Sequence, residues 1–392
     1  MNRDTPIIIV SPSAHYPSHN WPISAALTRA LRRQGQDVRI ITFSTGVEPV
    51  PPDLAEIVKP VFARMPPGWR GAADGKWQQR RFGGVTNIIE TLACLFSALR
   101  ATRRQPGTVL HFIGGSYWIV ILAALCFPTR RFVYSLYGGI MSGPATGLKA
   151  VIRKPLKQLL RRATDTDRLD FTCENEFLHA EIARLISNHI HLVPYAIADD
   201  EELPTRAAAR QRLKLPPEAK ILLFFGTHRR EKDYATALRG ALMLPVPPLA
   251  LFVGKVISDN DPRQVVALCH YPNAHIVNEF VPEEMAPFYF AAADAVVLPY
   301  EADFARGSGV LIECCRYLRP MLATGTPYLS SFLKQYPCGV SYVAGNSTSF
   351  AAAIAELLAD PARHQAALEQ ARRAHSWTTV AGQYIAIYDR SA

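Results

Sequence analysis

The sequence lacks the cysteine spacing of a disulfide framework or a zinc site. Seven cysteines are scattered over 392 residues, with no CxxC pair. An odd and irregular set of this kind predicts reduced thiols in a cytosolic protein. No signal-peptide pattern precedes the first predicted strand, and the longest apolar run, residues 117–127, is too short to cross a bilayer. We therefore expect a cytoplasmic protein, either free or attached to the inner face of the cell membrane.

Motifs for nucleic acid and for dinucleotides are also missing. The formal net charge is +10, which suits nucleic acid, anionic lipid or phosphorylated substrates. No helix-turn-helix, zinc-finger or RNP pattern supports a nucleic-acid partner. No GxGxxG follows either candidate first strand, which disfavours a nicotinamide dehydrogenase. The remaining candidate partners for the positive charge are phosphorylated substrates and anionic lipids.

The apolar pattern predicts two α/β halves on one chain. The first half has strand-like runs at residues 7–10, 38–42, 109–112, 132–136, 169–173 and 190–193. After a polar, proline-containing stretch from Ala198 to Pro217, the second half has runs at 221–225, 249–253, 275–277, 295–298 and 321–323. Helical segments between these runs imply parallel sheets covered on both faces. Ligands of such folds bind at the carboxyl ends of the strands.

A glycine-containing loop follows the run 295–298. Gly307, Ser308 and Gly309 precede a predicted helix that carries Val310 and Glu313. Free N–H groups at a helix start attract anions, and glycines let the backbone approach a phosphate closely. The carboxylate of Glu313 can accept hydrogen bonds from two ribose hydroxyls. Alone, this loop is more typical of a glycine-rich connection with a solvated glutamate.

A basic loop follows the run 221–225. Gly226 and Thr227 are followed by Arg229, Arg230 and Lys232, and a helical segment begins at Tyr234. A diphosphate leaving group needs cations, because negative charge builds on it as the sugar bond breaks. Lysine offers a point charge, whereas arginine can bridge two oxygens. Together, the two loops favour a site for a sugar diphosphate over two solvated loops.

These residues carry a family resemblance. Gly226 through Glu231-Lys232, then 278–282 (NEFVP), 293–299 (ADAVVLP) and 308–313 (SGVLIE), resemble the C-terminal half of glycosyltransferase family 4 in order and spacing. The resemblance implies the GT-B fold, with two Rossmann-like domains facing each other across a cleft. It implies an acceptor-binding domain over residues 1–197, a nucleotide-sugar domain over 198–376, and a helix over 377–392 that crosses back to the first domain.

The resemblance assigns roles to individual residues. Lys232 matches the family's diphosphate-binding lysine, and Glu313 matches the second glutamate of its E-x7-E motif, which holds the nucleotide ribose. Thr227 stands where the family has arginine, and Arg229 or Arg230 could supply the missing charge. Ala305 replaces the first glutamate of the motif, so donor contacts would come from backbone groups at 306–309 or from Asp303. The donor-binding set is then Gly226, Thr227, Lys232, Val281, Gly307, Ser308, Gly309, Val310 and Glu313.

The resemblance also implies a reaction mechanism. Its members retain anomeric configuration and need no metal, so we expect a nucleotide-sugar donor as co-substrate and no cofactor. Lys232, Arg229, Arg230 and Glu313 are the predicted catalytic set. Polar residues after the strands of the first half are acceptor-binding candidates, namely His15, Tyr16, His111 and Tyr137. A histidine at a strand end is also commonly a structural residue.

Residues 147–163 predict a basic amphipathic helix. The segment has six basic residues, no acidic residue and apolar residues at helical spacing, with a kink at Pro155. Such a helix can lie on an anionic membrane, or its apolar face can pack on the protein core. Membrane contact would make a lipid-linked saccharide of cell-surface polysaccharide synthesis a plausible acceptor. The competing functions are a non-catalytic GT-B sugar- or nucleotide-binding protein and a GT-B sugar-nucleotide epimerase.

Overall fold

The computed structural model describes residues 6–14, 20–44, 50–63, 83–137, 148–186, 189–198, 201–304 and 307–390. The chain divides into two compact units. The first comprises Met1–Pro194 together with Trp377–Ala392, and the second comprises Tyr195–Ser376.

The first unit is built on a parallel sheet. In the described residues its strands are β1 (Ile7–Ser11), β2 (Val38–Ser44), β3 (Val58–Phe62), β4 (Val109–Ile113), β5 (Arg131–Leu136), β6 (Leu169–Cys173) and β7 (Ile190–Leu192). Their spatial order is β3-β2-β1-β4-β5-β6-β7, and every pair is parallel. The helices are α1 (Asn20–Arg33), α2 (Gly83–Ala101), α3 (Tyr117–Cys126), α4 (Leu148–Thr164) and α5 (Glu176–Ala183).

The second unit repeats this design. Its strands are β8 (Ile221–Phe225), β9 (Leu249–Val253), β10 (Ala274–Val277), β11 (Ala295–Leu298), β12 (Met321–Thr324) and β13 (Gly339–Tyr342), in the parallel order β10-β9-β8-β11-β12-β13. Its helices are α6 (Arg206–Leu213), α7 (Tyr234–Ala241), α8 (Pro262–Leu268), α9 (Ala286–Ala292), α10 (Gly309–Arg316), α11 (Pro327–Gln335), α12 (Ser347–Ala359) and α13 (Gln365–Ala374). The predicted α/β class with two Rossmann-like halves is confirmed.

The strands form where short, β-branched apolar runs can be buried on both faces. Ile7, Ile8, Ile9 and Val10 of β1 are at most 1% exposed, because helices cover both sides of the sheet. All strands of a sheet run in one direction, so the loops that follow them meet at one edge. This edge of the second unit holds both loops in which the sequence predicts donor binding.

Two edge strands, β3 and β13, were not predicted. Pro60 interrupts β3, and the strand is half-exposed along most of its length. β13 has only four residues, begins with Gly339 and exposes Ser341. Edge strands are short and partly polar because only one neighbour covers them. Such strands therefore lack the continuous apolar run that identified the central ones.

The last helix, α14 (Trp377–Asp389), belongs to the first unit. The Tyr388 hydroxyl lies 2.7 Å from Nδ1 of His111 on β4. Arg131 of β5 donates to the backbone carbonyls of Ile387 and Tyr388 and pairs with Asp170 at 3.0 Å. Buried polar contacts therefore fix α14 on the sheet of the first unit.

The two ends of the second unit lie side by side. Ile197 N donates to His375 O at 2.9 Å, and Nδ1 of His375 donates to Tyr195 O at 2.9 Å. The chain therefore enters and leaves the second unit at one place.

Candidate functional site

Gly226 forms the turn between β8 and the basic loop. Its φ of +84° is in the left-handed region, where a side chain would be strained. A Cβ at this position would lie 3.3 Å from Cγ2 of Val310 and 3.9 Å from Nζ of Lys232. Three residues of the predicted donor-binding set, from two separate loops, therefore lie together.

Lys232 is enclosed by protein atoms. It is 7% exposed, and its Nζ donates a hydrogen bond of 2.9 Å to the carbonyl of Phe225. Burial, together with the positive charge of Arg229, lowers the pKa of Lys232 to about 7. An anion beside Nζ would raise this pKa again and favour the charged ammonium form.

The two arginines of the loop are both exposed, and one of them is tied to a site residue. Nε of Arg229 donates to Oγ1 of Thr227 at 3.0 Å. The charge of Arg229 also acts on Lys232. Thr227 thus holds the side chain of Arg229 on this loop.

His228 of the same loop carries no charge to the site. It is fully buried, and its Nδ1 lies 2.6 Å from the hydroxyl of Tyr234. Burial and the neighbouring Lys232 lower the pKa of His228 to about 4. The imidazole is therefore neutral at physiological pH and acts as a core residue.

Asn260, which follows β9, braces the basic loop and was missed by the sequence reasoning. Its Nδ2 donates to the carbonyls of Arg229 at 2.8 Å and of Lys232 at 2.7 Å. These two bonds fix the backbone that positions Lys232. The available signal was a polar residue shortly after a buried strand, because such loops gather at the same edge of the sheet.

The start of α10 is open to approach. Ser308 caps the helix, since its Oγ accepts a hydrogen bond of 3.3 Å from Leu311 N. Gly309 is exposed, and no atom lies within 4 Å of a Cβ built on it. Gly307 is half-buried beside it. The unpaired N–H groups of this first turn can therefore meet an anion.

Tyr300, which follows β11, joins the two loops. Its hydroxyl lies 2.8 Å from Oγ of Ser308, and its backbone forms an antiparallel bridge with Lys232. The ring stacks on Phe304 with centroids 3.8 Å apart. Sequence reasoning assigned no role to Tyr300, because the connection appears only in three dimensions.

Glu313 lies one turn along α10 from Val310. Its side chain is 28% exposed, and Oε2 lies 3.5 Å from Nη1 of Arg316. Burial raises the pKa of Glu313, and the neighbouring Glu283 and Glu201 carboxylates raise it further, whereas Arg316 opposes them. Arg316 also pairs with Glu201, and with Glu283 at 3.5 Å. Glu313 is therefore held by a charge network but is partly accessible.

The structure describes one further donor-binding candidate, Val281, whereas two residues of the loop before α10 lie outside the described residues. Val281 is half-buried and packs with Phe225 and Val310 against the core of the second unit. Ala305 and Arg306 lie outside the described residues.

The structure describes two of the four acceptor-binding candidates, His111 and Tyr137. His111 is 0% exposed, and its two ring nitrogens contact Tyr388 and Ser135, the latter at 2.8 Å. Burial lowers the pKa of His111 to about 3. Tyr137 is 43% exposed just after β5. His15 and Tyr16 lie outside the described residues. The structure thus encloses His111 beneath α14 and leaves Tyr137 at the surface.

The predicted basic helix forms as α4. Residue 147 lies outside the described residues, and side chains are described from Pro155 onward. Leu160 and Ala163 are buried, and Leu159 packs against the same core. Arg161 and Arg162 are exposed. The described apolar side chains near the end of α4 thus pack on the protein.

No three His, Cys, Asp or Glu side chains in the described part of the chain form a group suited to a metal ion. Among those same residues, no helix is both long enough and apolar enough to span a membrane.

Residues 205–374, all within the second unit, match the family model "Glycosyl transferases group 1". Comparison of the sequence with curated proteins gave no match. The second unit is thus similar to glycosyltransferase group 1 domains, and this similarity supports glycosyl transfer as the activity.

Solved structures are similar to the whole chain in fold. Sucrose-phosphate synthase from Thermosynechococcus elongatus is 19% identical, with a TM-score of 0.66 and coverage of 98% of both chains. HepE from Anabaena, solved with UDP-glucose, is 13% identical, with a TM-score of 0.61 and coverage of 97% of this chain and 98% of HepE. WaaG, a glycosyltransferase involved in lipopolysaccharide biosynthesis, is 14% identical, with a TM-score of 0.57 and coverage of 98% and 100%. These likenesses establish the GT-B fold.

Proposed function

We propose that the protein transfers a hexose from a UDP- or GDP-sugar to a saccharide acceptor, with retention of configuration and without a metal. One observation carries the proposal: the buried ammonium group of Lys232 lies beside Gly226 and Val310, next to the open start of α10. A cation held out of water and a helix start together match the diphosphate of a nucleotide sugar. The UDP-glucose complex of HepE supports this class of donor.

Each site residue then has a distinct part. Lys232 and Arg229 bind the diphosphate, and the N–H groups after Ser308 bind its oxygens on the other side. Arg230 adds positive charge at the exposed end of the loop. Glu313 accepts hydrogen bonds from the ribose hydroxyls, and Val281 and Val310 form apolar walls.

The proposed reaction is a front-face substitution. The bond between the anomeric carbon and the diphosphate oxygen breaks, and the acceptor oxygen bonds to that carbon from the same side. The acceptor proton passes to the leaving diphosphate, so atoms and charge balance. Lys232 and the helix start stabilise the charge that builds on the leaving group. Catalysis then consists of positioning and charge stabilisation.

For the acceptor we propose a lipid-linked saccharide of cell-surface polysaccharide synthesis. The basic residues of 147–163 support it, since positive charge attracts anionic lipid. The fold similarity to WaaG also supports it. His15, Tyr16 and Tyr137 are the acceptor-binding candidates that this proposal keeps.

The deciding experiment combines ligand binding with turnover. The full chain is melted with UDP, GDP and their hexose conjugates, because a bound ligand raises the melting temperature by mass action. Nucleotide release is then measured with saccharide acceptors in the presence of EDTA. We expect one nucleotide class to stabilise the protein and its sugar conjugate to be turned over. Stabilisation without turnover on any acceptor would indicate a non-catalytic binding protein, and isomerised donor would indicate an epimerase.

A further inference from the structure

The outward side of α2 is apolar along most of its length. Val85, Ile88, Ile89 and Phe96 are 54%, 41%, 42% and 60% exposed. Leu92, half-buried, lies between them. Because residues three, four and seven positions apart share one side of a helix, these five residues form a continuous stripe. We call this the α2 stripe.

The opposite side of α2 is apolar as well. Cys94, Leu95 and Ala98 are at most 3% exposed and belong to the core of the first unit. A helix on the surface of a protein normally presents polar residues to water on its outer side. A contiguous exposed apolar surface on a helix that is already packed on its other side is typical of an interaction site.

The charges around the α2 stripe are positive. The acidic residue of α2, Glu90, is 0% exposed, so it does not face water. Arg100 in the last turn is exposed, as are Arg103 and Arg104 just after the helix. The stripe therefore ends at three exposed guanidinium groups.

A neighbouring helix adds to this layer. Oγ1 of Thr91 on α2 accepts a hydrogen bond of 2.8 Å from Ser116 N, which fixes the start of α3 beside α2. α3 exposes Leu122, which is 45% accessible. α4 packs against α3 in turn and exposes Arg161 and Arg162. Apolar residues on α2 and α3 are thus followed by cationic residues on α4.

We propose that the α2 stripe docks on an anionic lipid bilayer. Val85, Ile89 and Phe96 would enter the boundary between headgroups and acyl chains, and Arg100, Arg103 and Arg104 would contact anionic headgroups. This surface differs from residues 147–163, because the described apolar side chains at the end of α4 already pack on the core. α2 supplies the apolar contact, and α4 supplies additional positive charge.

The positive charge of the chain favours an anionic bilayer over a second copy of the chain as the partner of the α2 stripe. Each chain has a formal net charge of +10. A symmetric pair of stripes would place two sets of exposed arginines near one another, with no exposed acidic side chain on α2 to offset them. Like charges across such an interface repel. An anionic bilayer instead satisfies the apolar stripe and the arginines together.

The test uses the full chain and vesicles of phosphatidylcholine, with or without phosphatidylglycerol. Bound protein is separated by sedimentation. The variant Phe96→Glu places a charge in the α2 stripe. Its matched control is Phe177→Glu on α5, because Phe177 is also in the first unit and 41% exposed. A second variant, Arg103→Glu with Arg104→Glu, reverses the charge at the end of the stripe. Thermal melting confirms that all variants are folded.

The wild-type protein should bind anionic vesicles at least about tenfold better than neutral ones, in line with the attraction of several arginines. Phe96→Glu should weaken binding by about tenfold or more, as expected when an aromatic ring that enters the bilayer is replaced by a charged side chain. Phe177→Glu should bind like the wild type. Equal loss in both Phe variants would overturn the proposal, and so would absence of vesicle binding. A dimer in solution that Phe96→Glu dissociates would identify a second copy as the occupant and also overturn it.

This inference and the proposed function fail separately. The α2 stripe contains no residue of the donor site, so Phe96→Glu should leave UDP-sugar binding unchanged. Donor binding without vesicle binding would refute the membrane surface alone. Vesicle binding without any nucleotide binding would refute the proposed function alone.

Discussion

The hydroxyl of Tyr300 lies 2.8 Å from Oγ of Ser308, the residue that caps α10. The backbone of the same tyrosine pairs with Lys232. One residue thus connects the lysine with the helix start, the two features proposed to bind the diphosphate. We therefore expect a change at Tyr300 to affect both Lys232 and the start of α10.

Replacement of Tyr300 by Phe should weaken nucleotide binding. Removing the hydroxyl leaves Ser308 without this partner, and a lost buried hydrogen bond costs about 1 kcal/mol, which corresponds to roughly fivefold in affinity. The control is Tyr271→Phe, because its hydroxyl donates to Pro248 O at 2.7 Å, a bond not in the site. Calorimetry should show lower UDP-sugar affinity for Tyr300→Phe only, although both variants lose stability. Unchanged affinity in Tyr300→Phe would contradict the coupling.

Replacement of Lys232 by Met should reduce turnover by about a hundredfold or more, as expected for loss of one electrostatic contact to a leaving group. The melting temperature should rise, because burial lowers the pKa of Lys232 to about 7 and a buried ammonium group is costly. Lys59→Met, at an exposed lysine on β3, is the control and should change neither quantity. Wild-type turnover in Lys232→Met would refute the proposed mechanism.

Affinity for UDP-glucose should fall as the pH rises above 7. Burial lowers the pKa of Lys232 to about 7 in the free protein, whereas a bound diphosphate favours the protonated form. Binding above that pH must take up a proton, so affinity should fall by up to about tenfold per pH unit. A nucleotide sugar is used because its diphosphate does not titrate in this range. Lys232→Met should abolish the pH dependence, and its persistence there would assign it to another group.

Replacement of Asn260 by Ala should raise the KM for the donor and lower kcat. The side chain donates to the carbonyls of Arg229 and Lys232, so its loss frees the loop that positions Lys232. We expect an effect of up to roughly 30-fold on kcat/KM, since two lost bonds of about 1 kcal/mol each amount to about 2 kcal/mol. Asn346→Ala removes the cap of α12 and should cost similar stability without a kinetic effect. Equal kinetics in both variants would show that Asn260 acts on stability alone.

His111 and Tyr137 should respond differently to substitution. His111→Leu removes the buried partner of the Tyr388 hydroxyl and one of the buried partners of Ser135, so the first unit should lose about 1–3 kcal/mol of stability. Tyr137→Ala, at an exposed site, should keep the stability and raise the acceptor KM. Chemical denaturation and acceptor kinetics separate the two effects. A large change in acceptor KM for a folded His111→Leu protein would return His111 to the acceptor site.

The central strands were predictable because their signal is local. Runs such as 7–10 and 221–225 are continuously apolar, and burial on both faces requires that pattern. The edge strands β3 and β13 are partly polar and short, so local sequence could not distinguish them from loops. The fold class depends on the central strands and was therefore accessible.

The sequence predicted which loops lie close together, because loops that follow neighbouring parallel strands meet at one edge of the sheet. Gly226, Lys232 and Val310 lie together as the two loops implied. The contacts of Asn260 and Tyr300 join separate loops, and no local pattern specifies them. His111 looked available at a strand end, yet its partner Tyr388 comes 277 positions later and covers it. Local sequence patterns do not predict tertiary contacts of this kind, because the residues that make them lie far apart in the chain.

The placement of α14 has a consequence for biosynthesis. The ribosome makes residues 195–376 between the two parts of the first unit. Until Ile387 and Tyr388 emerge, His111 and Arg131 lack partners that they have in the finished protein. The second unit, which is contiguous in sequence, can complete its core earlier. The unit whose synthesis begins first is thus the last to be completed.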